Sequence, residues 1–272
     1  FEPIGLKSSI IVDTVSISAD GKKVAVKKKS DSTAGICLIF AYDDGIDEWI
    51  QVGSDILGEF PGDYSGVSLS LSDDGSTVAI GSTANDGNGE NSGHVRVFKF
   101  DISINDWSQM GTDIDGKAPG DLAAIVRLSS DGNVVAIGSP LNDDNGSNSG
   151  HVRVFTYIDV SKQWVQVGSD IDGGSDSYFF GFIMDLSGDG KRLAARSIYN
   201  TSHVCVYMYL ESNSDWVQMG SDIPLSSNNG SLGLSAKGNT VVVGEINVGG
   251  VSNVGKVSVY RYDRNNDNWF QL

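Results

Sequence analysis

An all-β fold built from repeated four-stranded units is predicted by three observations. A segment of the form Trp-x-Gln-Val/Met-Gly-Ser/Thr-Asp-Ile starts at Trp49, Trp107, Trp164 and Trp216, and a truncated copy starts at Trp269, at intervals of 58, 57, 52 and 53 residues. An Asp-Gly pair recurs between short apolar runs at Asp20-Gly21, Asp74-Gly75, Asp131-Gly132 and Asp189-Gly190, with Lys237-Gly238 as a degenerate fifth. No stretch carries the apolar period of an amphipathic helix. A fixed period of this length marks an array of small β units.

Within each period four strands follow in order. The first alternates apolar with small or polar residues, as in Val67, Leu69 and Leu71, then Ala124, Val126 and Leu128, then Phe182, Met184 and Leu186, then Leu232 and Leu234. Period two with one apolar face reads as a half-buried strand. Asp-Gly after it predicts a two-residue type I′ hairpin, with positive φ at both central residues. The second strand, Val24-Ala-Val, Val78-Ala-Ile, Val135-Ala-Ile, Leu193-Ala-Ala or Val241-Val-Val, is apolar on both faces and expected to be buried on both. An Asn/Asp/Gly loop follows, long at 85–93 and 142–150. The third strand is His94-Val-Arg-Val-Phe, His151-Val-Arg-Val-Phe, His203-Val-Cys-Val-Tyr or Lys256-Val-Ser-Val-Tyr, with Ile36-Cys-Leu-Ile-Phe divergent. The Trp segment is the fourth, and Phe1-Glu-Pro-Ile-Gly reads as a worn copy of it.

Four-stranded units repeating with a small rotation close into a ring whose blades cover one another's apolar faces. The expectation is a five-bladed β-propeller of four-stranded antiparallel blades; a six- or seven-bladed ring completed by further sequence is the alternative. One domain spans 1–272, with repeats near 1–48, 49–106, 107–163, 164–215 and 216–268 and a closing strand at 269–272. Six Trp-type strands are one more than five blades need, so either Phe1–Gly5 or Trp269–Leu272 is expected to seal the ring.

Thirty-five acidic residues against 19 basic ones give a net charge of −16. Such a balance argues against nucleic acid as a partner and suits cations or basic surfaces. The apolar runs are far shorter than a bilayer span, so no membrane insertion is expected, and no signal peptide is read. The start at Phe1 suggests a processed chain or a piece of a longer one. Cys37 and Cys205 fall one position apart in non-neighbouring copies, on opposite strand faces, and are expected to stay unbridged. Asn145, Asn200 and Asn229 fit the glycosylation acceptor pattern.

The run from Asp131-Gly-Asn-Val-Val-Ala-Ile-Gly-Ser-Pro through Ser149-Gly-His-Val-Arg-Val-Phe, and its counterpart from Asp74 to Phe98, resemble the FG-GAP repeats of integrin α-subunit propellers. The whole unit is also similar to tandem repeats of large secreted or surface proteins of unicellular algae. The resemblance implies an extracellular or cell-surface propeller used in adhesion or assembly. That family's calcium sites lie in extended acidic hairpin loops; two-residue Asp-Gly turns are too short to supply the ligands, so calcium is not carried over to them.

Calcium remains a candidate ligand of the long loops, through Asn85, Asp86, Asn88, Asn142, Asp143, Asp144 and Asn145, whose side-chain oxygens suit a hard cation. The same residues are also what loops use for Asx-turns. Asp55, Asp113, Asp170 and Asp222 recur at one position, with Glu59, Asp63, Asp115, Asp121, Asp172 and Asp176 nearby, and recurrence at every blade favours a structural role. His94, His151 and His203 sit on successive copies, too far apart to share one zinc, and are expected to bond locally. The five tryptophans are expected to be packing residues with indole N–H groups bonded to backbone, rather than a sugar-stacking set. Lys22, Lys23, Lys27, Lys28 and Lys29 read as a solvated surface. With no nucleophile elbow and no unique catalytic set, no enzyme and no cofactor are expected. The reading is a non-catalytic surface or filament module binding protein or glycan partners, possibly copies of itself. A multivalent lectin and a glycoside hydrolase-type propeller are the alternatives, the latter because carboxylate separations are invisible in sequence.

Overall fold

The computed structural model describes residues 12–28, 34–174, 178–198, 202–246 and 254–272. The worn Trp copy at Phe1–Gly5, Lys29, Asp176 and the acceptor Asn200 lie outside them. The described residues form five antiparallel sheets and no helix.

The first sheet comprises Val12–Ile17, Lys23–Lys28, Ile36–Asp43 and Glu48–Gln51. The second comprises Ser68–Leu71, Thr77–Ser82, His94–Asp101 and Asp106–Gln109. Ile125–Leu128, Val134–Ser139, His151–Ile158 and Gln163–Gln166 make the third. The fourth has Tyr178–Leu186, Arg192–Ile198, His203–Leu210 and Asp215–Gln218, and the fifth Asn229–Leu234, Thr240–Ile246, Gly255–Asp263 and Asn268–Gln271. A two-residue strand, such as Ile114–Asp115, also pairs with the third strand of each of the first four sheets. The chain falls into two compact units, Phe1–Asn133 with Tyr157–Trp164, and Val134–Thr156 with Val165–Leu272.

Each Trp strand pairs with the third strand that precedes it, Trp107 opposite Phe100 and Trp269 opposite Tyr262. The resulting aromatic pairs have ring centroids 5.4 and 5.3 Å apart. The indole then reaches back to the previous sheet: Trp107 Nε1 donates to Val52 O and Trp164 Nε1 to Met110 O in the first unit, Trp216 Nε1 to Val167 O and Trp269 Nε1 to Met219 O in the second, all at 2.7–2.8 Å. The glycine after that carbonyl holds positive φ, and a Cβ on Gly53 would stand 2.7 Å from Trp107 Cδ1. The side chain before the tryptophan completes the latch at Trp107 and Trp216, Asp106 accepting from Ser54 N at 2.7 Å and Asp215 from Ser169 N at 2.8 Å. The tryptophan segment is thus a sheet-to-sheet fastener, which is why it recurs.

The polar positions of the first strands have a similar use. Ser68 and Ser70 accept from Val126 N and Leu128 N in the first unit, and Asp185 accepts from Leu234 N in the second. Neighbouring sheets come so close that a Cβ on Gly81 would lie 1.8 Å from Ala124 O, which explains the glycine ending Val78-Ala-Ile-Gly. Cores form between sheets, around Leu69, Val78, Ile80 and Phe98 in the first unit and around Val204, Met219, Ile223, Val241 and Val243 in the second. Thr77–Ser82 is buried throughout, as expected of a second strand. The fifth sheet departs from this, with Val241 and Val243 buried but Val242 exposed, because its core lies on one face.

The hairpins differ from the predicted type I′ turns. Gly75 N donates to Ser72 O and Ser72 N to Thr77 O, so four residues lie between the bonded pair. Only the glycine has positive φ. Asp74 instead spends its carboxylate on Ser72 Oγ at 2.7 Å and Ser76 N at 2.8 Å, an Asx arrangement that fixes the turn without a left-handed aspartate.

Candidate functional site

The chemistry gathers in the second sheet, within the first unit. Period-two alternation places His94, Arg96 and Phe98 on one face of their strand, with the Arg96 guanidinium carbon 5.4 Å from the Phe98 ring centroid. Register sets His94 opposite Ser82 on one side and opposite Asp115 on the other. Its Nε2 lies 3.1 Å from Ser82 Oγ. Its Nδ1 faces two carboxylates, Asp113 Oδ2 at 3.8 Å and Glu59 Oε2 at 3.9 Å. Gln109 of the Trp segment donates to Asp113 Oδ1 at 2.6 Å and so turns Oδ2 toward the imidazole. Arg96 Nη1 stands 3.7 Å from Glu59 Oε1 while Nη2 donates to Leu57 O at 2.6 Å, which holds the incoming connection. The His94 side chain is 1% exposed against 30% for Asp113 and 32% for Glu59. Burial pushes the imidazole pKa below its ordinary value, against the opposing pull of Asp113 and Glu59, leaving a neutral ring at pH 7.

Glu59 and Asp113 also line a cleft of about 690 Å³ between the connection at 59–64 and the loop at 84–91. Asp63, Asp86, Glu90 and Asp115 line it too, and no lysine or arginine does. Phe60 and Tyr64 offer aromatic surface at its wall, 65% and 49% exposed. The site is therefore strongly anionic, with apolar faces beside hydrogen-bond acceptors.

The arrangement recurs in the second unit. His151 Nδ1 lies 3.9 Å from Asp170 Oδ2 and 4.0 Å from Asp172 Oδ1, with Asp144 close by and Gln166 donating to Asp170. His203 Nε2 lies 3.9 Å from Asp222 Oδ2, with Gln218 and Cys205 Sγ on Asp222 Oδ1. Among the described residues, each histidine stands in a group of its own with at least one carboxylate. The sequence signal was available in the joint recurrence of Gln-x-x-x-Asp and a third-strand histidine. It was missed because Asp113 looked fully explained as a structural aspartate.

The long-loop candidates are placed otherwise. Asn85 Oδ1 accepts from Gly87 N, Asp86 Oδ1 from Asn91 N, Asn142 Oδ1 from Asp144 N and Asp143 Oδ1 from Asn148 N. Asn88 and Asn145 turn their amide nitrogens to carbonyls, Asn88 to Gly116 and Lys117 and Asn145 to Gly173. These contacts shape the loops, and only Asp144 joins one of the His/Cys/Asp/Glu groups found among the described residues. Of the glycosylation acceptors, Asn229 is exposed, whereas the nitrogen of Asn145 that would carry a glycan is engaged at 2.7 Å. Cys37 and Cys205 are buried free thiols.

Solved structures resemble the chain along nearly its full length. The periplasmic gluconolactonase PpgL of Pseudomonas aeruginosa superposes with a TM-score of 0.65 at 16% identity, over 100% of this chain and 74% of that one. The fold is a β-propeller. A Bacteroides uniformis protein assigned as a 6-phosphogluconolactonase gives 0.57 at 14% identity, over 97% and 86%. TolB from Acinetobacter baumannii gives 0.52 at 17%, over 98% of this chain but only 55% of TolB. No family model matches the chain, and no curated protein matches it. Two of these three structural relatives bear lactonase names. That finding overturns the expectation of a non-catalytic adhesion or filament module, and with it the expectation that the chain is no enzyme. The error came from treating near-identical blades as excluding an asymmetric site. Glu59 and Asp113 join the His94 group to the acidic cleft of about 690 Å³, whereas Asp170 and Asp172 join the His151 group to a smaller one of about 150 Å³.

Proposed function

We propose that the chain is a β-propeller hydrolase that opens neutral sugar lactones in the cleft of its second blade. The observation carrying the reading is the convergence of Glu59 and Asp113 on one buried histidine at the wall of an aromatic-flanked acidic cleft. Names borne by the propellers similar in fold support the reaction class.

In this reading water attacks the lactone carbonyl while Glu59 or Asp113 takes its proton. The ring C–O bond then breaks, and the proton passes to the departing alkoxide, so that one lactone and one water give one hydroxy acid. Phe60 and Tyr64 cover the apolar face of the ring, and Asp86, Glu90 and Asn91 accept from its hydroxyls. A cleft lined by six carboxylates and no basic side chain repels anions. It therefore disfavours phosphorylated lactones and speeds release of the carboxylate product. We place the reaction outside the cytoplasm, in keeping with the periplasmic address of PpgL. The FG-GAP resemblance is retained as a reading of blade motifs and carries none of the chemistry.

Proton release on adding D-glucono-δ-lactone is the test. Acceleration over spontaneous opening, lost in the Glu59→Gln/Asp113→Asn double variant and weaker on 6-phosphogluconolactone, supports the proposal. No acceleration with neutral five- or six-membered lactones overturns it.

A further inference from the structure

We propose that Glu59, His94 and Asp113 form a binding site for one divalent first-row transition cation of the zinc type. The three ligand atoms, His94 Nδ1 and one oxygen from each carboxylate, lie within 4.8 Å of one another. Nδ1 belongs to a side chain that is 1% exposed, and it makes no hydrogen bond. Were it protonated, either carboxylate would close to hydrogen-bond distance; instead both stand 3.8–3.9 Å away. With the proton on Nε2, donating to Ser82 Oγ, the Nδ1 lone pair points at two anions. That is repulsive unless a cation lies between them. Ligand atoms around a tetrahedral ion with bonds of about 2.0–2.1 Å are separated by roughly 3.3 Å, so each carboxylate closes on the imidazole by about half an ångström, and the two carboxylate oxygens draw together from within 4.8 Å, to form the site.

The outer contacts suit this arrangement. Gln109 occupies the other oxygen of Asp113 and Arg96 stands beside the other oxygen of Glu59, leaving one oxygen of each for the ion. One imidazole with two carboxylates favours a transition metal over calcium, which needs six or more oxygens. Glu59 and Asp113 also line the cleft, so the ion's remaining positions face it. A role there in polarising the lactone carbonyl rests on the hydrolase reading; the binding itself does not.

Calorimetric titration of the chelator-treated full chain with zinc chloride tests the site, read beside cobalt absorption in the visible. Because the His151 and His203 groups can also take metal, the decisive quantity is the difference between proteins. His94→Ala and Glu59→Gln are each expected to bind one zinc fewer than the parent, or to bind that equivalent at least tenfold more weakly. Circular dichroism reports folding, and the exposed Glu59 decides the matter if His94→Ala unfolds. Unchanged stoichiometry and affinity in a folded variant overturn the proposal. Zinc binding without lactone turnover leaves the site standing and removes the hydrolase reading; metal-free turnover without zinc binding does the reverse.

Discussion

Replacing Trp107 with phenylalanine isolates the fastener between the first and second sheets. The substitution keeps a ring opposite Phe100 but deletes the N–H that reaches Val52 O at 2.8 Å. Loss of one such bond at a partly buried carbonyl costs about 1 kcal/mol. The smaller ring forfeits about 1 kcal/mol of packing against the cluster that includes Val52. A total near 2 kcal/mol corresponds to roughly 4–8 °C in Tm for a domain of this size. Thermal melts followed by far-ultraviolet circular dichroism, with urea titration as a cross-check, measure it. Trp107→Leu, which loses ring and bond together, is expected to fall further. A Trp107→Phe melt within 1 °C of the parent refutes the fastener, and equal losses for Phe and Leu assign the effect to the indole N–H bond rather than to the ring that Phe retains. Trp164→Phe, which severs the 2.7 Å bond to Met110 O, repeats the test at the next copy.

Gly81→Ala sets a Cβ against Ala124 O at 1.8 Å and is expected to lower Tm by more than Trp107→Phe; a melt like the parent's contradicts the close approach of those sheets. The hydrogen bonds from Ser54 and Trp107 hold the Asp106 pKa below the ordinary carboxylate value, and those from Ser169 and Trp216 do the same for Asp215. A depressed folded pKa contributes stability above the unfolded pKa, which is lost as pH falls through the folded one. Asp106→Asn keeps the acceptor geometry, as Asn268 does toward Ser221 and Trp269, so the parent's Tm advantage over this variant should shrink toward zero from pH 6 to about pH 2; a gap independent of pH excludes the linkage. Burial pushes the Cys37 and Cys205 thiols up to about 12, so neither should react with a thiol reagent at pH 8 before unfolding, and rapid labelling of the native chain counts against that burial.

Periodicity made the strands legible, because tryptophan, Asp-Gly and the third-strand histidine recur in step and sheet residues alternate between two faces. The site resisted the same logic. Glu59 follows the short strand that joins the first sheet to the next, His94 opens a strand 35 residues later, and Asp113 lies beyond a further strand. Nothing in their spacing announces that they meet. The turn type was misjudged for a related reason: aspartate before glycine serves either a left-handed backbone or a side-chain cap, and the serine two residues earlier decides for the cap.

The amino-acid order by itself determined the all-β blades, their number and their punctuation, since these follow from local alternation, turn chemistry and a repeat length. Tertiary structure alone decided which oxygen of Asp113 is free, that Glu59 turns toward His94, and that these two carboxylates meet at the wall of one cleft. Those outcomes depend on where register and sheet-to-sheet hydrogen bonds set side chains from distant segments, and a one-dimensional pattern does not encode such distances.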